Sequence, residues 1–160
     1  MMKALYPGSF DPITKGHLDI IARSNAIVEH LTVAVLENPR KQSVFTIEER
    51  LEMLRRSTVQ YPNVEVDYFS GLLTEYVERK NIRIIIKGLR AISDFEFEFQ
   101  MALVNRKLNP NVETLFMMTN SKYSYLSSSI VKEIASFGGD IKDLVPSAVY
   151  ELIIDKFRQG

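Results

Sequence analysis

The chain of 160 residues contains no cysteine. This absence excludes disulfides, thiolate metal sites and a cysteine nucleophile, and it fits a reducing compartment such as the cytoplasm. A surplus of charge is absent too, because 20 Lys and Arg balance 20 Asp and Glu. No global field therefore favours nucleic acid or an anionic membrane as a partner, and an anion site must be built locally.

Long hydrophobic runs are also missing. No stretch approaches the roughly 18 consecutive apolar residues of a membrane span, and Met1 to Tyr6 contain no long apolar segment typical of a signal peptide. We therefore expect a soluble, cytoplasmic protein. With 46% hydrophobic residues, residues 1–160 are long enough for one core and too short for two, which predicts a single domain.

Short apolar runs alternate with amphipathic segments along the chain. Five runs predict strands, at 4–6, 31–36, 64–68, 82–86 and 114–118. Helices are predicted from Leu18, from the capping box Thr46-Ile47-Glu48-Glu49, over about 72–80 and 93–108, and from about Ser128 and Pro146. This alternation is typical of βαβ units. It predicts an α/β fold: a five-stranded parallel sheet with helices on both faces and a helical C-terminal segment.

The helix expected near 93–108 is apolar on two sides. One face carries Phe95, Phe99, Ala102 and Leu103, and the nearly opposite face carries Phe97, Met101, Val104 and Leu108. One face can line the domain's own core. The other then indicates an oligomer interface, unless the helix is sandwiched within one subunit.

Residue types that bind anions follow the predicted strands, at the sheet edge where parallel sheets bind ligands. The segments are YPGSFDPITKGH, ENPRKQS, KGLRAISD and TNSKYSYLSSS. The first segment makes the connection between the first strand and the first helix about ten residues long, where roughly two to six are usual. We call this connection the first crossing. A crossing of that length indicates a loop that wraps a ligand.

Thr14 is a natural N-cap, which places His17 at the third helical position beside unsatisfied backbone N–H groups. The helix dipole disfavours a cation there, so we expect a neutral imidazole that donates one hydrogen bond. His30 has no such surroundings and is interpreted as structural.

Three other groups have two interpretations each. Ser127–Ser129 are helix caps or hydroxyls that hold a polyphosphate. The cations of Lys87-Gly88-Leu89-Arg90 are a solvated pair or phosphate ligands, and Lys41 is a surface lysine or a ligand contact. No dinucleotide fingerprint, P-loop or metal-ligand spacing is present, so any Mg²⁺ would arrive on the nucleotide.

Together these residues resemble a known family. YPGSFDPITKGH resembles the T/H-x-G-H signature of the nucleotidyltransferase superfamily, whose members share a Rossmann-like core with class I aminoacyl-tRNA synthetases. In the form G-[ST]-F-D-P-x-T-x-G-H, followed by Lys87-Gly88-Leu89-Arg90 and Ser127-Ser128-Ser129, it is similar to the bacterial phosphopantetheine adenylyltransferase family. The likeness covers essentially the whole chain.

The resemblance implies transfer of AMP from ATP to the phosphate of 4′-phosphopantetheine, giving dephospho-CoA and pyrophosphate in coenzyme A synthesis. It also implies Mg²⁺ carried with ATP, no metal ligand from protein side chains, and a homohexamer. The nucleophile would be an oxygen of the 4′-phosphopantetheine phosphate. The second pKa of a phosphate group is about 6, so this group is mostly a dianion at neutral pH. Direct in-line attack would therefore need no general base and no covalent enzyme intermediate.

Carried over position by position, the resemblance implies that His17, Lys41 and Arg90 are catalytic, with His17 stabilising the transition state. The implied ATP site comprises Ser9, Phe10, His17, Gly88, Leu89, Arg90, Glu98, Tyr123, Ser124, Tyr125, Leu126, Ser127, Ser128 and Ser129. The implied 4′-phosphopantetheine site comprises Ser9, Lys41, Leu73 and Lys87. Many family members carry Arg at the position of Lys87, and Lys keeps the charge but loses the bidentate fork.

Two alternatives fit parts of the pattern. Nucleotidyltransferases that act on nicotinamide mononucleotide, or on glycerol phosphate with CTP, tend to have a first histidine where this chain has Thr14. A regulatory nucleotide-binding module of flavodoxin-like shape would bind ATP without turnover and without dependence on His17, and its loops would lack these cations.

Overall fold

The computed structural model describes residues 2–90 and 92–159. Five parallel strands form one sheet: β1 (Lys3–Gly8), β2 (His30–Glu37), β3 (Val64–Ser70), β4 (Ile84–Leu89) and β5 (Glu113–Met118). The helices are α1 (Lys15–Asn25), α2 (Ile47–Ser57), α3 (Leu73–Arg79), α4 (Ile92–Leu108), α5 (Ser128–Ser136) and α6 (Tyr150–Arg158). The predicted α/β architecture is confirmed, including its helical C-terminal segment.

The strand order is β3-β2-β1-β4-β5. The chain therefore builds outward from β1 to one edge, and then crosses over to build outward from β4 to the other. Strand order reverses between β1 and β4, and a reversal of this kind opens a crevice at the carboxyl ends of the strands. Ligands of doubly wound sheets bind in that crevice.

Successive side chains of a strand point to opposite faces of the sheet. They form two hydrophobic cores, one on each face. On one face, Tyr6, Val33 and Ile86 pack with helices α1, α2, α5 and α6. On the other, Leu5 and Ile85 pack with Tyr76 and Val77 of α3 and with neighbouring apolar residues. Burial on both faces explains why the strands read as nearly continuous apolar runs.

Strands β1 to β4 extend beyond their predicted ends, and the extensions of β1 and β4 shorten the segments that follow them. Tyr6–Gly8 pair with Val33–Val35 inside β1 and β2, so the first crossing is only the six residues Ser9–Thr14. Lys87–Leu89 pair with Phe116–Met118 of β5, and they therefore lie in β4, not in the loop after it. Ala91, within the KGLRAISD segment, lies outside the described residues.

The start of β4 was also predicted wrongly. Ile82 is buried, but it belongs to the turn after α3, where its N–H donates to the carbonyl of Val77 at 2.8 Å. An apolar run alone does not distinguish a buried turn residue from a strand residue.

The predicted capping box of α2 and the predicted start of α5 at Ser128 are confirmed. In the capping box of α2, the Thr46 hydroxyl accepts the Glu49 N–H at 3.1 Å, and the Glu49 carboxylate accepts the Thr46 N–H at 2.8 Å. Helix α5 ends just before Gly138, whose φ of +76° provides the left-handed residue that often follows a helix.

Helix α4 leaves apolar side chains exposed on both of its predicted faces. Phe97 is 63% exposed on one face and Leu103 is 53% exposed on the other. The expectation that one face lines the core is therefore wrong for the single chain, as is the alternative of a sandwiched helix. None of the described helices is long and apolar enough to cross a membrane.

Candidate active site

A cleft of about 350 Å³ opens at the carboxyl ends of β1 and β4, where the strand order reverses. Segments that follow β1, β2, β4 and β5 all contribute to its walls. Twelve of the predicted site residues line it: Ser9, Phe10, His17, Lys41, Lys87, Gly88, Arg90, Glu98, Leu126, Ser127, Ser128 and Ser129.

Five predicted site residues do not line this cleft: Leu73, Leu89, Tyr123, Ser124 and Tyr125. Leu73 packs against the core formed with α3, and Tyr123 lines a separate groove with Lys15. Tyr125 is 63% exposed. The structure thus brings together the cationic residues and leaves out part of the expected ATP segment.

His17 completes a capping box at the start of α1. The Thr14 hydroxyl accepts the backbone N–H of His17 at 3.2 Å, and His17 Nδ1 accepts the backbone N–H of Thr14 at 3.0 Å. Because Nδ1 accepts a hydrogen bond, it carries no proton, so the neutral ring has its proton on Nε2. The imidazole has one N–H left to donate.

The surroundings of His17 keep it neutral. Burial lowers the pKa of the imidazole, and the nearby Arg90 guanidinium lowers it further, to about 4. The Phe10 ring packs edge-on against the imidazole at 5.0 Å, and Tyr6 packs against Phe10 at 5.4 Å. The predicted neutral state agrees with this environment.

Phe10 itself holds an unusual backbone conformation. Its φ is +47° although its side chain is bulky, and that side chain is almost fully buried. Non-glycine residues in this region store strain and cluster at functional sites. Here the strained backbone of Phe10 places its ring edge-on against the imidazole of His17.

Two cations of the cleft face carboxylates on α4. Lys87 Nζ lies 3.4 Å from Glu98 Oε2, and Arg90 Nε lies 3.3 Å from Asp94 Oδ2 while its Nη1 donates to the Leu126 carbonyl. Lys41 has no ion-pair partner within the described ranges 2–90 and 92–159. The cleft therefore holds one lysine without an ion-pair partner among the described residues and two cations paired with carboxylates of α4.

The structure confirms the capping interpretation of the serine run and places the run at the cleft. Ser127 is the N-cap of α5, because its hydroxyl accepts the Ile130 N–H at 3.1 Å. Ser128 donates to the Pro12 carbonyl at 2.7 Å and so ties α5 to the first crossing. Ser129 is exposed, and all three residues line the cleft.

The sequence reasoning missed five residues of the cleft walls: Tyr6, Pro7, Ile20, Asp94 and Thr119. Thr14 and Gly16, which belong to the T/H-x-G-H signature, also line the cleft. The spacing of four between Arg90 and Asp94 is a helical ion-pair signal that could have found Asp94. Gly88 allows β4 to approach α1 closely, since a Cβ there would lie 3.2 Å from Ile20 Cγ1 and that side chain would have to shift.

No group of three or more His, Asp or Glu residues in the described part of the chain could hold a metal ion. The two cleft carboxylates, Asp94 and Glu98, already face cations. This donor set does not fit a metal ion held by the protein alone.

The sheet order and the cleft at its reversal point define the class of protein. A family model described as cytidylyltransferase-like matches residues 5–134, which carry most of β1, all of β2 to β5 and the four segments of the cleft. The phosphopantetheine adenylyltransferase of Caldanaerobacter subterraneus subsp. tengcongensis is 59% identical over 160 residues, covering 100% of both chains. That of Clostridium botulinum strain Hall is 60% identical over 149 residues, covering 93% of this chain and 91% of the relative. The chain therefore belongs to the phosphopantetheine adenylyltransferase family, within the cytidylyltransferase-like class.

A solved structure is similar in fold at much lower identity. It is the nicotinic acid mononucleotide adenylyltransferase of Plasmodium falciparum complexed with NaAD, with a TM-score of 0.67 and 15% identity. The alignment covers 98% of this chain and 94% of that one. The likeness extends the fold assignment to the full sheet and its helices.

Proposed function

We propose that the protein transfers the adenylyl group of ATP to 4′-phosphopantetheine, releasing pyrophosphate and forming dephospho-CoA in coenzyme A synthesis. The observation that carries this proposal is the convergence of His17, Lys41, Lys87 and Arg90 in one cleft at the reversal point of the sheet. The names of relatives that are about 60% identical support the choice of substrates.

The chemistry that we propose is a direct in-line displacement. A phosphate oxygen of 4′-phosphopantetheine attacks the α-phosphorus of ATP, and the bond to the β-phosphate oxygen breaks as pyrophosphate leaves. The attacking phosphate is largely a dianion at neutral pH because its second pKa is about 6. No general base and no covalent enzyme intermediate are needed, so the work of the protein is alignment and charge stabilisation.

We assign His17 to the transition state. Its free Nε2–H donates a hydrogen bond to the phosphate oxygens on which negative charge grows, and its position at the N-terminus of α1 adds the helix dipole. The cap bond to Thr14, 3.0 Å long, supports this role because it fixes the tautomer.

We assign the cationic side chains of the cleft to the phosphates of ATP and of 4′-phosphopantetheine. Lys41 and Arg90 stabilise the reacting phosphates, and Lys87 binds the phosphate of 4′-phosphopantetheine. Ser9 contacts both substrates, and Leu73 contacts the pantetheine arm. The ATP site further comprises Phe10, Gly88, Leu89, Glu98 and the segment 123–129. The pairs Lys87–Glu98 and Arg90–Asp94 would open as the substrates bind.

We propose that Mg²⁺ enters with ATP, keeping mostly water and phosphate oxygens as ligands. Bound in this way, the ion would neutralise negative charge on the phosphates. The pairing of Asp94 with Arg90 and of Glu98 with Lys87 supports this arrangement.

We further propose a cytoplasmic homohexamer whose copies pack through α4. The exposed apolar side chains on both faces of that helix support self-association.

Incubation of the purified protein with Mg²⁺, ATP and 4′-phosphopantetheine tests the proposal. We expect stoichiometric pyrophosphate and dephospho-CoA, measured by a coupled phosphate assay and by mass spectrometry.

Parallel reactions replace the acceptor with nicotinamide or nicotinic acid mononucleotide, or supply CTP with glycerol phosphate. Turnover confined to one of these other pairs would refute the assignment. Saturable ATP binding without any turnover would favour the regulatory module instead.

A further inference from the structure

The segment that carries Lys41 is held mainly at its ends. It connects β2, which ends at Glu37, to α2, which begins at Ile47. All residues from 37 to 44 are exposed. Within the segment, the backbone N–H of Lys41 donates to the Asn38 carbonyl at 3.0 Å, which makes a local turn. The position of Lys41 over the cleft therefore depends on where the segment is fastened.

Asp11 fastens the C-terminal end of this segment. One carboxylate oxygen accepts the backbone N–H of Val44 at 3.0 Å, and the other accepts that of Phe45 at 2.9 Å. The Asp11 side chain is only 6% exposed; its bond with Phe45 is buried and its bond with Val44 is partly buried. A buried carboxylate that accepts two backbone N–H groups makes strong, directional bonds.

Lys132 of α5 supplies the counter-charge. Its Nζ lies 3.1 Å from Asp11 Oδ2. Asp11 therefore joins three parts of the cleft: the first crossing on which it lies, the end of the Lys41 segment, and the helix that begins with Ser128.

Arg50 of α2 makes a second connection, between the segment Ser9–Thr14 and the start of α2. Its guanidinium donates to the carbonyl of Ser9 at 3.0 Å and to that of Thr46 at 3.3 Å. Arg50 is 5% exposed. Arg50 fixes the start of α2, so the residues beyond Phe45 are anchored independently of Asp11.

We propose that Asp11 is a positioning residue for Lys41, with Lys132 as its counter-charge. The inference rests on the proposed function, since it assigns Asp11 an effect on the reaction through Lys41. Asp11 does not line the cleft and needs no contact with substrate. A displacement of a catalytic group by about 1 Å is enough to cost up to a hundredfold in rate.

A double-mutant cycle tests the coupling. Asp11→Asn removes the charge and one acceptor with little change in shape, and we expect it to lower kcat by about tenfold to a hundredfold. In the Lys41→Met background, the same substitution should lower kcat by less than about threefold, because the group through which it acts is already gone. Similar losses in the two backgrounds would show that Asp11 acts without Lys41.

Proteolysis gives a readout that does not require the proposed function. Trypsin cleaves after Arg40 and Lys41, both in the exposed segment. Cleavage at these two bonds should accelerate severalfold in Asp11→Asn, because the segment has lost its fastening. An unchanged cleavage rate would overturn the proposal.

The matched control is Asp67→Asn. Asp67 also accepts a backbone N–H, at 2.8 Å from Tyr68, and pairs with a lysine, Lys80, at 3.2 Å, but it lies in β3 outside the cleft walls. The Asp67→Asn variant should be less stable than the wild type. Its kcat and its rate of tryptic cleavage near Lys41 should equal those of the wild type.

Lys132→Met is the second variant, for use if Asp11→Asn does not fold. It removes the counter-charge of Asp11, so it should lower kcat only when Lys41 is present and should accelerate tryptic cleavage after Arg40 and Lys41. A wild-type protein that releases no pyrophosphate would count against the proposed function, whereas the cleavage result would still decide the positioning role.

Discussion

At the scale of single residues, His17 has two roles that share one side chain. Its Nδ1 accepts the cap bond from Thr14, and that bond leaves the proton on Nε2, directed away from the cap. Glu or Gln is the usual residue at this third position of a capping box. The chain uses histidine there because the same ring can cap the helix and donate to an anion.

Replacement of His17 by Ala should lower kcat by about a hundredfold to a thousandfold, as for other lost donors to a developing oxyanion. The KM for ATP should change much less, because the donor acts mainly in the transition state. Steady-state kinetics measures both values. Near-normal turnover would refute the assigned role.

His17→Gln is the matched variant for the cap. Gln can still accept the Thr14 N–H, so it should recover the thermal stability lost in His17→Ala while kcat stays well below that of the wild type.

The pH dependence of kcat/KM should show an acid limb near pH 6 that does not belong to His17. The pKa of His17 is held at about 4 by burial and by Arg90, so the ring stays neutral through this range. The limb instead follows protonation of the attacking phosphate, with a second pKa of about 6. Profiles of the wild type and His17→Gln between pH 5 and 8 should therefore have the same midpoint. A midpoint that moves with the substitution would assign the limb to the histidine.

At the scale of elements, local signals predicted helix starts better than strand ends. The N-cap Thr14 and the capping box at Thr46 are local signals in short stretches of sequence, so both helix starts were predictable. Strand ends depend on partners elsewhere. Lys87 is polar and Gly88 is flexible, and both continue β4 because β5 pairs with them.

The candidate site was predictable to a similar degree. Residues at the ends of strands converge because parallel strands share a carboxyl edge, which explains why His17, Lys41 and Arg90 meet. The role of Asp11 was not predictable, since its partners lie at Val44, Phe45 and Lys132 and no local spacing connects them.

The edge strand β3 and helix α3 should show a stability that depends on Asp67 and on pH. Burial raises the pKa of Asp67, but hydrogen bonds from Tyr76, Tyr68 and Lys80 lower it more, so the net pKa lies below its ordinary value of 3.8. The ionised carboxylate thus stabilises the fold above the pKa of the unfolded chain, and this contribution is lost as the pH falls through the folded pKa.

Asp67→Asn should therefore lower the free energy of unfolding at pH 7 by about 1–3 kcal/mol. The difference from the wild type should narrow as the pH is lowered below 3.8, as measured by urea unfolding. Asp155→Asn is the control, because Asp155 is 60% exposed in its pair with Arg158 and such pairs contribute little. A deficit that persists unchanged in acid would exclude the carboxylate as its source.

At the scale of the whole molecule, the exposed apolar residues of α4 should make the protein an oligomer. Val104→Glu places a charge on that helix, away from the cleft, and we expect it to shift the mass measured by light scattering toward the 18.4 kDa of one chain. Val59→Glu is the same substitution at a site that is 79% exposed in the turn after α2, and it should leave the mass unchanged. Equal masses for the wild type and Val104→Glu would exclude this face as the interface.

The cleft joins parts of the chain that are far apart in sequence, and this has a kinetic consequence. Ser128 reaches Pro12 across 116 positions, and Lys132 reaches Asp11 across 121, whereas each helix forms from neighbours. Non-local contacts close slowly because a long loop must be ordered before they form. During refolding from urea, helical circular dichroism should therefore return before pyrophosphate release does. A chain still emerging from the ribosome would carry His17 and Lys41 long before it could use them.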